Sequence, residues 1–349
     1  MTITNLKDEA HMKTLHQTIV CALALLLLVQ EGYSQDRKAG LTGAAFLKVG
    51  VGARAVGMGS AVTALPNDVN QMFYNPAGIA LKDESWQASF SYNKWIADIG
   101  HNSAAISHYF EGIGTIGVGF ISFGVSDIVA ERDIPNDPDG RPAQVDFVTD
   151  LTYDYRDIAY QVTFSRYVMD QLALGITLKG ISQSIDDQTA GAFAFDFGSV
   201  YDVGVLGWTI AARFNNLGSN IRFYDIDAGL PLQFTIGTAL TPLKLEQSSL
   251  MVAVDATKPQ DGPLYLFTGG EFTFMDMVSV RAGYKLNYSG TDETTFRTKP
   301  TIDNTIEGVS LGGGVRTTVQ GFNVGVDYSF TQMELLDATH RVSVSIGMK

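Results

Sequence analysis

From residue 84 to the end of the chain, apolar side chains recur at every second position. Trp86, Ala88, Phe90 and Tyr92 alternate with Ser85, Gln87, Ser89 and Ser91; Leu172, Leu174, Ile176 and Leu178 alternate with Ala173, Gly175, Thr177 and Lys179. Successive strand side chains point to opposite faces, so each run has one apolar face and one wet or small one. Fourteen such runs occur, at 84–95, 102–110, 113–123, 155–168, 171–184, 192–203, 207–216, 232–241, 249–258, 263–274, 277–288, 305–318, 320–331 and 338–348. Met169-Asp170 and Gln320-Gly321 are short connections that suit hairpin turns. The stretches 124–154, 217–231 and 289–304 are long and polar. Short turns at one end and longer loops at the other are the pattern of transmembrane barrels. Trp86, Trp95 and Trp208 fall near run ends, where interfacial girdles sit.

A soluble sandwich or propeller is the competing architecture, and its polar face would carry more Lys and Glu. Here that face is mainly Ser, Thr, Gly, Ala and Asn, with Lys179, Asp196, Arg213, Asp255, Glu271, Arg281, Lys285, Arg316, Asp327 and Arg341 scattered along it. Both signs occur, so they can pair across a barrel interior, where an unpaired charge is costly. Charged residues are only 17% of the chain, yet no segment after the first 35 residues has the roughly 18 consecutive apolar residues of a spanning helix. The expected fold class is all-β: a transmembrane antiparallel β-barrel of about 14 strands with an N-terminal plug or hatch segment.

The chain divides into three parts. Residues 1–35 read as a secretory signal peptide: Lys13 precedes an apolar run, Ile19–Val29, and Tyr33-Ser34-Gln35 follows it. Met12, followed by Lys13, is a more natural start than Met1. Cys21 is the single cysteine and lies inside the apolar run, so cleavage near Gln35 leaves no thiol and no disulfide. Residues 36–83 are the expected plug, small-residue-rich, too apolar for a solvated linker and too glycine-rich for a long helix. Residues 84–349 are the expected barrel. The formal charge of −13 excludes a nucleic-acid partner.

No motif carries catalysis, a cofactor or a metal. Gly50-Val51-Gly52-Ala53-Arg54-Ala55 fits a dinucleotide fingerprint, but nothing downstream alternates helix with strand as that site requires. Asp133–Arg141 resembles a calcium loop, but Pro135 stands where a ligand is needed. His101, His108 and His340 lie on distant runs, without metal-ligand spacing. No Ser–His pair can be brought together from the sequence, so an enzyme is not expected. Asn75-Pro76-Ala77-Gly78 is a rigid turn, because Asn bonds its own backbone two residues on and Pro fixes φ.

The run Phe46–Ala80 resembles the N-terminal segment of the PorV/PorQ family, outer-membrane proteins related to the FadL fatty acid transporter. Gly52-Ala53-Arg54-Ala55, Gly57-Met58-Gly59, Asp68 and Asn75-Pro76-Ala77 carry the likeness. The resemblance implies a barrel in the outer membrane of a Gram-negative cell, in contact with its lipid. It also implies a plug motif at Gly52, Arg54, Gly57, Gly59, Asp68, Asn75, Pro76 and Ala77. It further implies a type IX secretion component that binds the C-terminal domains of secreted cargo and docks beside a large translocon barrel. The loop 124–154, with Tyr153 and Tyr155, is the expected partner surface. The alternative is a FadL-like transporter of long-chain fatty acids or other hydrophobic molecules, with an apolar pocket of Phe46, Met58, Phe73, Tyr265 and Phe267.

Overall fold

A computed structural model describes residues 42–81, 86–130, 152–288, 307–333 and 336–348. The expected signal peptide, the edges of the expected plug at 36–41 and 82–83, the Asp133–Arg141 stretch and the 289–304 loop lie outside these residues.

The fourteen alternating runs are fourteen strands of one closed antiparallel barrel. They are β1 (Trp86–Lys94), β2 (Gly100–Phe110), β3 (Gly114–Val129), β4 (Thr152–Met169), β5 (Leu172–Ile185), β6 (Gln188–Asp202) and β7 (Thr209–Gly218). After a separate small hairpin of β8 (Ile221–Phe223) and β9 (Ile226–Ala228), the barrel continues with β10 (Gln233–Lys244), β11 (Ser248–Pro259), β12 (Tyr265–Phe274) and β13 (Val278–Leu286). It ends with β14 (Glu307–Val319), β15 (Phe322–Met333) and β16 (Thr339–Met348). Each strand pairs with its neighbour in sequence, β7 pairs with β10, and β1 closes on β16 from Trp86↔Met348 to Lys94↔His340. No open edge remains to be satisfied in lipid.

The alternation sorts as its chemistry demands. Phe90, Val344 and Val326 stand side by side facing outward, each about half exposed, whereas their neighbours Ser89, Ser91 and Ser343 are buried within. An apolar exterior around a polar interior is the reverse of a soluble protein and defines a transmembrane barrel. The turn Gln320-Gly321 has positive φ at both residues (52° and 86°), the twist a two-residue hairpin needs.

Two expectations are adjusted. β3 and β4 run on to Val129 and back to Thr152, so both strands extend into the stretch expected to be loop. Tyr155 there turns inward and donates to Asp157 Oδ2 at 2.6 Å, and so leaves the expected partner surface. Trp95 also packs against the interior cluster, while Trp86 and Trp208 are half-buried at strand ends.

Candidate functional site

A barrel of eight strands is filled by its own side chains, and larger ones enclose a lumen. In this fourteen-stranded barrel, residues 42–81 pack against the inward side chains. The segment is a chain of short turns: a 3₁₀ turn at Ala45–Lys48, the helix α1 (Ala53–Gly57), and 3₁₀ turns at Val69–Phe73 and Pro76–Ile79. Its glycines prevent anything longer. Gly52 starts α1 at φ 80°, and Gly59 ends the stretch at φ 62°. Asp68 caps the third turn by accepting from Asn70 N, and Asn75 caps the fourth by accepting from Ala77 N, with Pro76 in the first position.

Polar side chains of the wall pin this irregular backbone, whose amides have no ladder partners of their own. Asp255 Oδ2 accepts from Val62 N and Thr63 N, at 3.0 and 2.9 Å. Ser343 Oγ accepts from Ala53 N at 2.8 Å, and Asn215 Nδ2 donates to the Tyr74 carbonyl at 2.7 Å. Asn75 Nδ2 reaches both the Thr63 carbonyl at 2.8 Å and the Ser199 carbonyl at 3.1 Å, and Ser165 Oγ donates to the Ala77 carbonyl. Arg54 forks onto Glu271, with Nε to Oε2 at 3.0 Å and Nη2 to Oε1 at 2.8 Å, and reaches Asp68 through Nη1. Arg281 shares Glu271 and bonds Asp327 at 2.6 Å, which completes a five-membered charge network.

Where the segment touches the wall most closely, the wall residue is glycine. A Cβ on Gly269 would lie 2.3 Å from the Met58 carbonyl oxygen, one on Gly175 2.4 Å from the Pro76 carbonyl carbon, and one on Gly198 1.9 Å from Asn75 Oδ1. These inward glycines are the functional feature that sequence reasoning missed. The available signal was glycine on the inward register of a strand, a mark of close backbone approach.

All eight expected motif residues therefore sit in this one packed layer. Of the five expected pocket residues, Phe73, Tyr265 and Phe267 come together around a cavity of about 50 Å³. Phe46 instead stacks on Phe123 with ring centroids 6.3 Å apart, and Met58 is fully buried against Gly269. Tyr288, which sequence reasoning did not single out, completes the aromatic wall at 4.9 Å from Tyr265 and 5.7 Å from Phe267. The rest of the lining mixes apolar Leu47, Val51 and Ile121 with polar Lys179, Arg213, Asn215, Asn216 and Lys285. Lys179 pairs with Asp196, and Lys285 with Glu307. Arg213 lies over the Tyr74 ring, and the Asp255 and Asp196 carboxylates are near enough to act on its charge. Arg316, also expected within, is exposed beside the short-turn opening.

The histidines stay apart: His101 contacts Arg341, His108 meets Phe110 edge-on, and His340 contacts Tyr328. No cluster of three or more metal-ligating side chains occurs among the described residues. Outside the membrane span, Arg222 bonds Asp227 through Nε and Nη2, which holds that carboxyl below its ordinary range.

Fold and interior together define a transmembrane barrel with an internally packed N-terminal segment. No protein-family model and no curated protein sequence matches the chain. Solved structures do. The toluene transporter TodX of P. putida aligns with TM-score 0.58 and 10% identity, over 86% of this chain and 98% of TodX. The toluene transporter TbuX of Ralstonia pickettii aligns with TM-score 0.54 and 14% identity, over 85% and 97%. A Pseudomonas aeruginosa FadL homologue gives TM-score 0.54 and 13% identity, over 85% and 98%. At these identities the likeness is one of fold, and it spans nearly the whole of each neighbour.

Proposed function

We propose that this protein is an outer-membrane barrel that passes small hydrophobic molecules, with residues 42–81 as a plug that must rearrange for passage. The observation that carries the reading is the aromatic cavity of Phe73, Tyr265, Phe267 and Tyr288 held between that segment and the wall. The fold shared with TodX, TbuX and the FadL homologue favours transport over the secretion role implied by the likeness of residues 46–80 to PorV/PorQ. Secretion remains the second reading. The β8–β9 hairpin, whose tip exposes Tyr224 and Ile226, would then offer a contact for protein partners.

Size decides that movement is required. An apolar cavity of roughly 150 Å³ accommodates benzene, and the cavity here is about 50 Å³. The purified protein in phospholipid vesicles is expected to pass a toluene-sized apolar probe saturably, and to exclude a sugar of similar size. Apolar flux equal to that of empty vesicles would refute the reading.

A further inference from the structure

The aromatic cavity and the short-turn end of the barrel are separated along most of the circumference by backbone pinned to Asp255, Ser343 and the Arg54 network. Along β3 the pins hold backbone only and leave the Met72 side chain free of hydrogen bonds: Thr115 Oγ1 accepts from Leu81 N at 3.0 Å, and Gln161 Nε2 of β4 donates to the Met72 carbonyl at 3.0 Å. Ile121, on the inward face of β3, lines the aromatic cavity, and Thr115 and Gly114 line an opening of about 440 Å³ at the short-turn end. The inward positions between them are Gly117 and Gly119, so the wall there presents no side chain. The Met72 side chain fills most of the gap, with Ile79 and Gln161 beside it. A Cβ on Gly119 would lie 2.5 Å from Met72 Sδ, and one on Gly117 would lie 2.5 Å from Met72 Cε and 3.2 Å from Ile79 Cδ1.

The strands on either side bound the groove. Ala105 and Ser107 of β2 stand opposite Gly119 and Gly117, as do Gln161 and Thr163 of β4. A second observation marks it as more than packing. Ser107 Oγ and Gln161 Oε1, both almost fully buried, have no hydrogen-bond partner among the described residues. Buried polar atoms left this way call for a water or ligand group.

Resting on the transport reading, we propose that the groove along β3 is the route from the aromatic cavity to the short-turn end, and that the Met72 side chain is its gate. Methionine has three rotatable bonds and a polarisable sulfur that adapts to irregular gaps. It can swing without lifting the segment, whereas opening the far side requires Arg54 to leave Glu271. Met72, Ile79, Ile121 and Ala105 make the route apolar and narrow, suited to flat or unbranched hydrophobic molecules.

The test is apolar-probe flux into vesicles holding the full-length protein, its Met72→Ala variant, and the double variant Met72→Ala/Gly117→Leu, which refills the groove from the wall. Each is first checked for the heat-modifiable gel migration of a folded barrel. Flux is expected to rise several-fold in Met72→Ala and to fall back in the double variant. A wild type that passes the probe, with Met72→Ala and the double variant unchanged, would overturn the gate and leave transport standing. A silent wild type with a conducting Met72→Ala would support the route and sink constitutive transport. Silence in all three proteins would overturn both.

Discussion

Replacing Glu271 with alanine is expected to destabilise the folded barrel by about 3 kcal/mol, near the lower end of what removing one partner from a buried ion pair costs. Glu271 is the shared acceptor of the interior network: Arg54 bonds both its oxygens, and Arg281 bonds Oε2. Removing it strands two guanidiniums whose side chains are only 18% and 2% exposed. The loss is not larger because each keeps one carboxylate, Asp68 for Arg54 and Asp327 for Arg281. Arg54→Met removes one guanidinium and leaves Glu271 paired with Arg281, so its cost is expected to be distinctly smaller. Urea unfolding in lysolipid micelles, followed by tryptophan fluorescence, gives the ranking. An Arg54→Met loss equal to or above that of Glu271→Ala would mean the network is not organised around Glu271.

Gly283→Val is expected to unseat residues 42–81 while the barrel stays folded. A Cβ at this inward position of β13 would lie 2.1 Å from Gly59 N and 2.3 Å from the Met58 carbonyl carbon. Both are backbone atoms, and Gly59 holds φ 62°, so no side chain can yield to relieve the clash. Overpacking of this kind costs about 1–3 kcal/mol, which multiplies the population of the unseated state by about 5–150-fold. Trypsin cleavage after Arg54, protected while the segment is seated, reports that population directly. Gly180→Val is the control, because nothing lies within 4 Å of a Cβ there. Cleavage at the wild-type rate in Gly283→Val would show that the wall glycines are not seats for the segment.

The strands were legible because alternation is a long-range signal: runs of nine or more residues, such as Trp86–Lys94 and Leu172–Ile185, repeat the same two-face pattern. β8 and β9 were not, since three-residue strands are too short to show a period. Inward charges were legible as a set, but their pairing depends on register and on missing side chains. Arg281 on β13 reaches Asp327 on β15 across β14 only because Gly314 stands between them, where a Cβ would lie 2.0 Å from Asp327 Oδ1. The motif residues of the N-terminal segment were legible as turn formers. Their seats on the wall were not, since a glycine on an inward register looks like any other small residue until the opposing backbone is known. The aromatic pocket was half legible: strand parity put Tyr265 and Phe267 inside, but it could not say that Phe46 would stack on Phe123.

The measurement that bears most directly on the central claim is mild detergent extraction of a tagged copy from the outer membrane, with mass spectrometry of the co-purifying proteins and small molecules. The transport account predicts a preparation carrying an apolar small molecule and no stoichiometric protein partner. A very large barrel, or secreted proteins that share a C-terminal domain, recovered in stoichiometric amount without an apolar ligand would contradict it and restore the secretion reading.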